Sequence, residues 1–333
     1  MTKTKYLILG GNGIFGVHLT MYLLKNYPDA FVYSVGRNPE KSGAFSLHRG
    51  IADDRYEYHQ IHMVFEGDRL MELLEEKQPD YIINFAALAA DVASSWKYAT
   101  RFYETNTVAL ARTTDQLVGK KWLKRWLQIG SSEIYGSVSK PVPETAEVKP
   151  SSPYAVSKVA GDMHLKAIHR VREFPMNIVW PTNAYGSGQQ LYRIVPRAVL
   201  ACLLNRKIPL QGGGRAVKSY IHAQDLAHAI YLVLHKAQAG DCYNIGPDAG
   251  ISIRDLVNKI TDQMGKRFED VVEMAPDRLG QDSQYLIDST KIRAELGWKP
   301  RIGLEEGLGE TISWAKKYSD ELKPLSTNVF FQA

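Results

Sequence analysis

The chain has 333 residues, 44% of them hydrophobic and 23% charged, with a formal charge of +5 from 41 basic and 36 acidic residues scattered along its length. That composition excludes a mainly disordered chain, and the lack of a massed basic stripe speaks against a nucleic-acid partner. The two cysteines, Cys202 and Cys242, have no metal-ligand spacing around them, so neither a disulfide framework nor a bound metal is expected.

The start, MTKTKYLILGG, has too short an apolar run for a signal peptide, and no stretch approaches the ~18 apolar residues of a membrane span. A cytoplasmic protein without a membrane partner is expected. Along the chain, KYLILGG (5–11) reads as a buried strand, IFGVHLTMYLLKNY (14–27) as an amphipathic helix and AFVYSVGRN (30–38) as a second strand. DRLMELLEEKQ (68–78) has helical period, YIINFAA (81–87) reads as a strand, RFYETNTVALARTTDQLVGK (101–120) as a helix and RWLQIGSS (125–132) as a strand. A long helix, YAVSKVAGDMHLKAIHRVR (154–172), precedes the strand MNIVWPTNAYG (176–186). Such alternation with near-continuous apolar strands indicates an α/β fold, a doubly wound parallel sheet.

Beyond Tyr185 the elements become shorter and mixed. IVPRAVLACLLNRK (194–207), HAQDLAHAIYLVLHK (222–236), SIRDLVNKITDQMG (252–265), TKIRAELGW (290–298) and GLEEGLGETISWAKKY (303–318) all have helical spacing. The expected division is residues 1–182, with 220–245 returning to that unit, a smaller C-terminal α/β unit over 183–323, and a loose tail over 324–333.

GGNGIFG places Gly10, Gly13 and Gly16, with Ile14 and Phe15 between them, directly between a strand and a helix. Glycines there allow a tight turn and close approach of a pyrophosphate, whose charge meets the helix N-terminus. The pattern points to a Rossmann-type site for NAD(P), the alternative being a glycine-rich turn without ligand. The second strand ends in Val35-Gly36-Arg37-Asn38, with no acidic residue to hold an adenosine ribose. Arginine suits a 2′-phosphate, which favours NADP over NAD; otherwise Arg37 is a solvated surface charge.

SSEIYG (131–136), SPYAVSK (152–158), NFAA (84–87), ETN (104–106), PTNAYG (181–186), GGGRAVKSYIHAQD (212–225) and DRLGQDSQYLIDSTKIRAELGW (277–298) follow in an order that covers nearly the whole chain. In these segments the sequence resembles the extended short-chain dehydrogenase/reductases of the NAD-dependent epimerase/dehydratase family, above all the nucleotide-sugar 4,6-dehydratases. The resemblance implies that Tyr154 is the base for a sugar hydroxyl and that Lys158, four residues on along one helix face, tunes it and binds the nicotinamide ribose. It further implies that Ser131 bonds the reacting oxygen, that Glu133 removes the C5 proton, and that Ala86, Ala87 and Asn106 lie at the cofactor. Asn106 would support the active-site helix and cofactor loop more than touch substrate.

For a nucleoside-diphosphate sugar the resemblance implies contacts from Ser132, Asn183, Lys218 and Arg278. Three positions depart from the family's usual residues. Ser132 stands where some dehydratases have an aspartate acid, Lys218 and Trp180 where relatives usually have arginine. A 4-epimerase, a 4-dehydrogenase, a UDP-glucuronate-type decarboxylase and a non-catalytic NAD(P)-binding sensor or scaffold remain alternatives. Pairing of the helices that contain Asn106 and Tyr154 across a two-fold axis would give a homodimer with a four-helix core.

Overall fold

Successive residues of β1 (Thr4–Leu9) point to opposite faces of a sheet. Tyr6 and Ile8 join one apolar cluster and Leu7 and Leu9 another, all four buried. A strand buried on both faces belongs to a parallel sheet covered by helices on either side. The computed structural model, which describes residues 3–89, 92–276, 283–325 and 327, builds that sheet.

The strands that follow are β2 (Ala30–Gly36), β3 (Tyr56–Gln60), β4 (Tyr81–Asn84), β5 (Arg125–Ile129) and β6 (Met176–Pro181). The C-terminal half adds β7 (Asn183–Tyr185), β8 (Ile208–Gln211), β9 (Val217–Lys218), β10 (Tyr220–His222), β11 (Cys242–Ile245), β12 (Ile251–Ser252), β13 (Val272–Ala275) and β14 (Gln284–Tyr285). The seven-stranded sheet runs β11-β6-β5-β4-β1-β2-β3 with every neighbouring pair parallel. Strand order reverses at β1, so the carboxyl ends of β1 and β4 flank a crevice where such sheets take their ligands.

The helices include α1 (Ile14–Asn26), α2 (Gly67–Lys77), α3 (Val92–Lys97), α4 (Ala99–Tyr103), α5 (Ala109–Leu117), α6 (Pro153–Arg172), α7 (Ile194–Leu204) and α8 (Ala223–Lys236). After them come α9 (Ile253–Gln263), α10 (Phe268–Val271), α11 (Thr290–Leu296) and α12 (Leu304–Lys317). Leu19 and Leu23 of α1, Leu226 and Ile230 of α8 and Ile292 of α11 fill one face of the sheet. Leu70 and Leu74 of α2, Leu110 and Leu117 of α5 and Leu165 of α6 fill the other. A third cluster joins α7, α9 and α12 to β8 and β13.

The strands from β8 to β14 were not read from sequence, and three further elements differ from that reading. β3, of sequence YEYHQ, has no continuous apolar run; it pairs only with β2, at the edge of the sheet, and three of its residues are half-buried. The helical segment 101–120 is interrupted by a π-type turn, Glu104–Val108, between α4 and α5. MNIVWPTNAYG is two strands: β6 ends at Pro181, which lacks a ladder donor, and β7 pairs with β10 in a separate two-stranded sheet. Of the expected tail, only residues 324, 325 and 327 lie among those described.

Candidate active site

Three strand ends and one helix bring the expected residues together. After β1, the amides of Gly10 and Gly11 donate to the Val35 carbonyl at 2.8 and 3.0 Å, and Gly13 donates to Gly10 at 3.0 Å. Gly10 has φ +79°, and a Cβ there would lie 2.8 Å from the Ala86 nitrogen. At Gly16 a Cβ would lie 2.5 Å from the Gly11 Cα. Gly13 caps α1 without a side-chain bond, and no acidic residue occupies the first turn. The helix amides thus stay available to an anion, and the cradle fits a dinucleotide pyrophosphate. Ile14 is buried and Phe15 turns its ring toward Phe85, 5.8 Å between centroids, so these two residues can serve a phosphate only through backbone amides. Arg37 and Asn38 are exposed at the end of β2. Their carbonyls accept bonds from Gln60 Nε2 and the Tyr58 hydroxyl, respectively.

After β4, Asn84 donates to Gln128 at 2.9 Å and accepts from the Ala86 amide at 3.1 Å, which fixes the turn carrying the half-buried Ala86 and Ala87. The π-type turn swings Asn106 under the same loop. Its carboxamide accepts from Leu88 N at 2.8 Å, donates to Leu88 O at 3.2 Å, and donates to Ser157 Oγ at 2.9 Å. Asn106 therefore ties the loop after β4 to α6, and its amide is occupied by protein partners.

After β5, Ser131 Oγ accepts from the Glu133 amide at 3.2 Å and caps the short turn Ser132–Tyr135. Ser132 is 2% exposed against 8% for Ser131. The helix α6 begins where it does because Ser152 Oγ accepts from the Ala155 amide at 3.2 Å and Pro153 takes a first-turn position. Tyr154 and Lys158 then fall one turn apart on the face toward the end of β5. Lys158 is 3% exposed and donates to the Ile129 carbonyl at 2.6 Å.

Burial raises the Tyr154 phenol above its ordinary range, the Glu133 carboxylate raises it further, and hydrogen bonding to Ser131 and the charge of Arg193 pull it back. Lys158, expected from the resemblance to tune the phenol, has its ammonium fixed on the Ile129 carbonyl one turn from Tyr154. Burial in turn lowers the Lys158 ammonium, opposed by Asp162.

The C-terminal half closes the cleft. Tyr285 donates to Asn183 Oδ1 at 3.0 Å, Asn183 Nδ2 reaches the Ser219 carbonyl at 3.3 Å, and Lys218 Nζ stands 3.6 Å from the Tyr285 ring centre. Burial and the Glu133 carboxylate both raise the Tyr285 phenol. Arg193, just ahead of α7, holds the Ala89 carbonyl at 2.8 Å and places its charge near Tyr154, Tyr220 and Tyr285. Sequence reasoning passed over Arg193, Tyr220 and Tyr285, whose one signal was a cation at the start of a helix after PTNAYG. Arg278 lies in 277–282, outside the described residues.

Set against known proteins, residues 7–311 match the family model for GDP-mannose 4,6 dehydratase. The chain is 29% identical over 331 residues to a dTDP-glucose 4,6-dehydratase of Haemophilus influenzae, with 92% of this chain and 96% of that protein covered. Among solved structures, dTDP-glucose 4,6-dehydratases from Streptomyces venezuelae, with NAD and TYD bound, and Bacillus anthracis, with NAD, superpose at TM-scores of 0.88 and 0.87. Their identities are 29% and 28%, each over 97% of this chain and 100% of the other. The chain belongs to the GDP-mannose 4,6 dehydratase family and is a nucleotide-sugar 4,6-dehydratase built on the extended short-chain dehydrogenase/reductase fold.

Proposed function

We propose that a nucleoside-diphosphate hexose binds between Glu133 and Tyr285 and leaves as the 4-keto-6-deoxy sugar and water. NAD or NADP, when bound in the glycine cradle, supplies the hydride acceptor and returns the same hydride. Tyr154, as phenolate, takes the C4 hydroxyl proton as that hydride leaves C4. The new carbonyl acidifies the C5 hydrogen, which Glu133 removes. With serine at 132 in place of an acid, Glu133 hands that proton to the departing C6 hydroxyl, and water leaves. The hydride then returns to C6 and a proton to C5. Ser131 holds the reacting oxygen, Lys158 the nicotinamide ribose, and Asn106 the loop carrying Ala86 and Ala87. A positioned acid–base group of this kind is worth roughly 10²–10⁴ in rate.

The observation that carries this reading is the gathering of Ser131, Glu133 and Tyr154 where α6 meets the end of β5: Ser131 Oγ takes the Glu133 amide at 3.2 Å, and both residues act on the Tyr154 phenol. It supports a base for oxidation and a base for C5 within one cleft. Lys218, Arg193 and Asn183 are proposed at the diphosphate, with Arg278 joining from its own segment. Incubation with dTDP-, UDP-, GDP- and CDP-hexoses and UDP-glucuronate, with NAD or NADP, followed by mass spectrometry, tests the reading. Loss of one water from one of them supports it. Loss of carbon dioxide, or an unchanged mass with an inverted hydroxyl, contradicts it.

For the cofactor, the relatives named above were solved with NAD, whereas an exposed Arg37 with no acidic neighbour at the end of β2 suits the 2′-phosphate of NADP. We assign Arg37 that role. The proposed units are residues 1–182 with 220–245, holding the cofactor, and 183–323, chiefly holding the sugar nucleotide. Among the described residues no helix is long and apolar enough to cross a membrane, and a cytoplasmic setting is proposed. The proposed partner is a second copy, seated on the outer face of the π-type turn and α6, where Val108, Val156 and Met163 are exposed.

A further inference from the structure

A third titratable residue continues the row of Tyr154 and Lys158 on α6. Asp162 lies one turn beyond Lys158 and is 3% exposed. Its Oδ2 accepts from the Trp180 indole at 2.7 Å, while its Oδ1 is buried with no hydrogen-bond partner among the described residues. Trp180 is itself buried on β6, its ring edge-on to Tyr135 and its face covered by the Lys166 ammonium at 4.9 Å. The space for this pair comes from Gly130, which directly follows the carbonyl that Lys158 grips. A Cβ there would meet the Trp180 ring at 2.3 Å and Asp162 Oδ2 at 3.0 Å. Lys158 is thus fixed by a backbone carbonyl, and a buried carboxylate stands one turn further along its own helix.

We propose that Asp162, aligned by Trp180, is a positioning residue that keeps the Lys158 ammonium charged beside the catalytic phenol. An ammonium taken out of water loses its proton readily unless an anion stands close. Burial pulls Lys158 down and Asp162 is the group that opposes it. The other groups facing Asp162 are Lys166 on α6, Trp180 on β6, Tyr135 in the turn after β5, Cys242 on β11 and Tyr154. Of these Lys166 is the one cation, and its ammonium lies over the Trp180 ring. Asp162 itself is pushed up to about 6 by burial, with Lys158 and the Trp180 bond working the other way. The carboxylate is therefore present at neutral pH and above, where Lys158 needs it. A neutral indole donor at 180 leaves the carboxylate's charge to the lysine, which an arginine in its place would neutralise.

This inference rests on the proposed roles of Tyr154 and Lys158, and two readouts separate it from them. In the first, protein carrying 13C at lysine Cε is titrated by NMR, with the Lys158 signal assigned by its loss in Lys158→Met. Asp162→Asn should move the Lys158 midpoint down by about one pH unit or more, the scale of one close opposite charge. An unmoved midpoint overturns the proposal whatever the enzyme turns over. In the second, the alkaline limb of kcat against pH should shift the same way in Asp162→Asn with KM for the sugar nucleotide little changed. An alkaline limb at its original pH overturns it too. Should Asp162→Asn fail to fold, Trp180→Phe keeps the carboxyl but removes its bond, and the Lys158 midpoint should fall by a smaller step; no movement there is equally decisive.

Discussion

Glu133 and Tyr154 act against each other. The carboxylate proposed to take the C5 proton also raises the phenol proposed to lose its own first. Glu133→Gln should therefore leave C4 oxidation intact or easier while product formation falls roughly 10²–10⁴-fold. Reduced cofactor should accumulate with the 4-keto sugar, read by its absorbance. Normal product formation without that accumulation would remove Glu133 from its role. Arg37→Ala should weaken NADP binding and leave NAD unchanged, measured by fluorescence titration; equal losses for both would make Arg37 a surface charge. Ser131, Glu133, Tyr154 and Lys158 were assigned from the family resemblance of SSEIYG and SPYAVSK, two short segments that the fold sets at the end of β5 and along α6. Arg193, Tyr220 and Tyr285 were not, since three separate segments carry them and only tertiary packing makes them neighbours. Asp162 keeps the four-residue spacing of Tyr154 and Lys158, yet nothing in the local sequence says that it is buried.

At the scale of elements, the site depends on interruptions. A π-type turn in the helix after β4 aims Asn106 at the cofactor loop, and the break at Pro181 takes β7 out of the main sheet toward Tyr285. Helical period and apolar runs report continuous elements, so the sequence reading located both segments and missed both breaks. Another junction joins α1, β10 and α12 through His18 and His222, whose rings meet edge to face at 6.0 Å. The His222 side chain is fully buried, and burial, with His18 second, pushes its imidazole down to about 3. The Glu310 carboxyl stands 3.4 Å away and becomes an ion-pair partner only if His222 protonates. The unfolded chain takes up a proton at its ordinary value of about 6.5, so the folded state is favoured above that pH and loses ground as pH falls toward 3. Between pH 6.5 and 5 this site should account for about 2 kcal/mol of lost stability. In scanning calorimetry, His222→Gln should narrow the drop in Tm between pH 7 and pH 5. An identical drop in the variant would assign the acid sensitivity elsewhere.

For the molecule as a whole, the doubly wound sheet was legible because its five inner strands are short, mainly apolar runs alternating with helices, whereas the two edge strands, the polar β3 and the short β11, escaped. Less legible were the exposed apolar residues Val156 and Met163 of α6, because sequence periodicity does not say whether a face meets its own subunit or another. Val156 and Met163, seven residues apart on α6, are 38% and 56% exposed, a spacing that places them on one helix face. If a second copy covers them, Val156→Glu with Met163→Glu should convert a dimer to a monomer in analytical ultracentrifugation. A wild-type protein already monomeric at micromolar concentration would contradict the four-helix pairing.

The central claim is that one cleft oxidises the sugar at C4 and returns the same hydride to C6. It is tested by turning over a nucleoside-diphosphate hexose deuterated at C4. The mechanism predicts the label in the C6 methyl group of the product, with no net reduced cofactor and one C5 hydrogen drawn from solvent. Deuterium left at C4, or accumulating in the cofactor with C6 unlabelled, would contradict it.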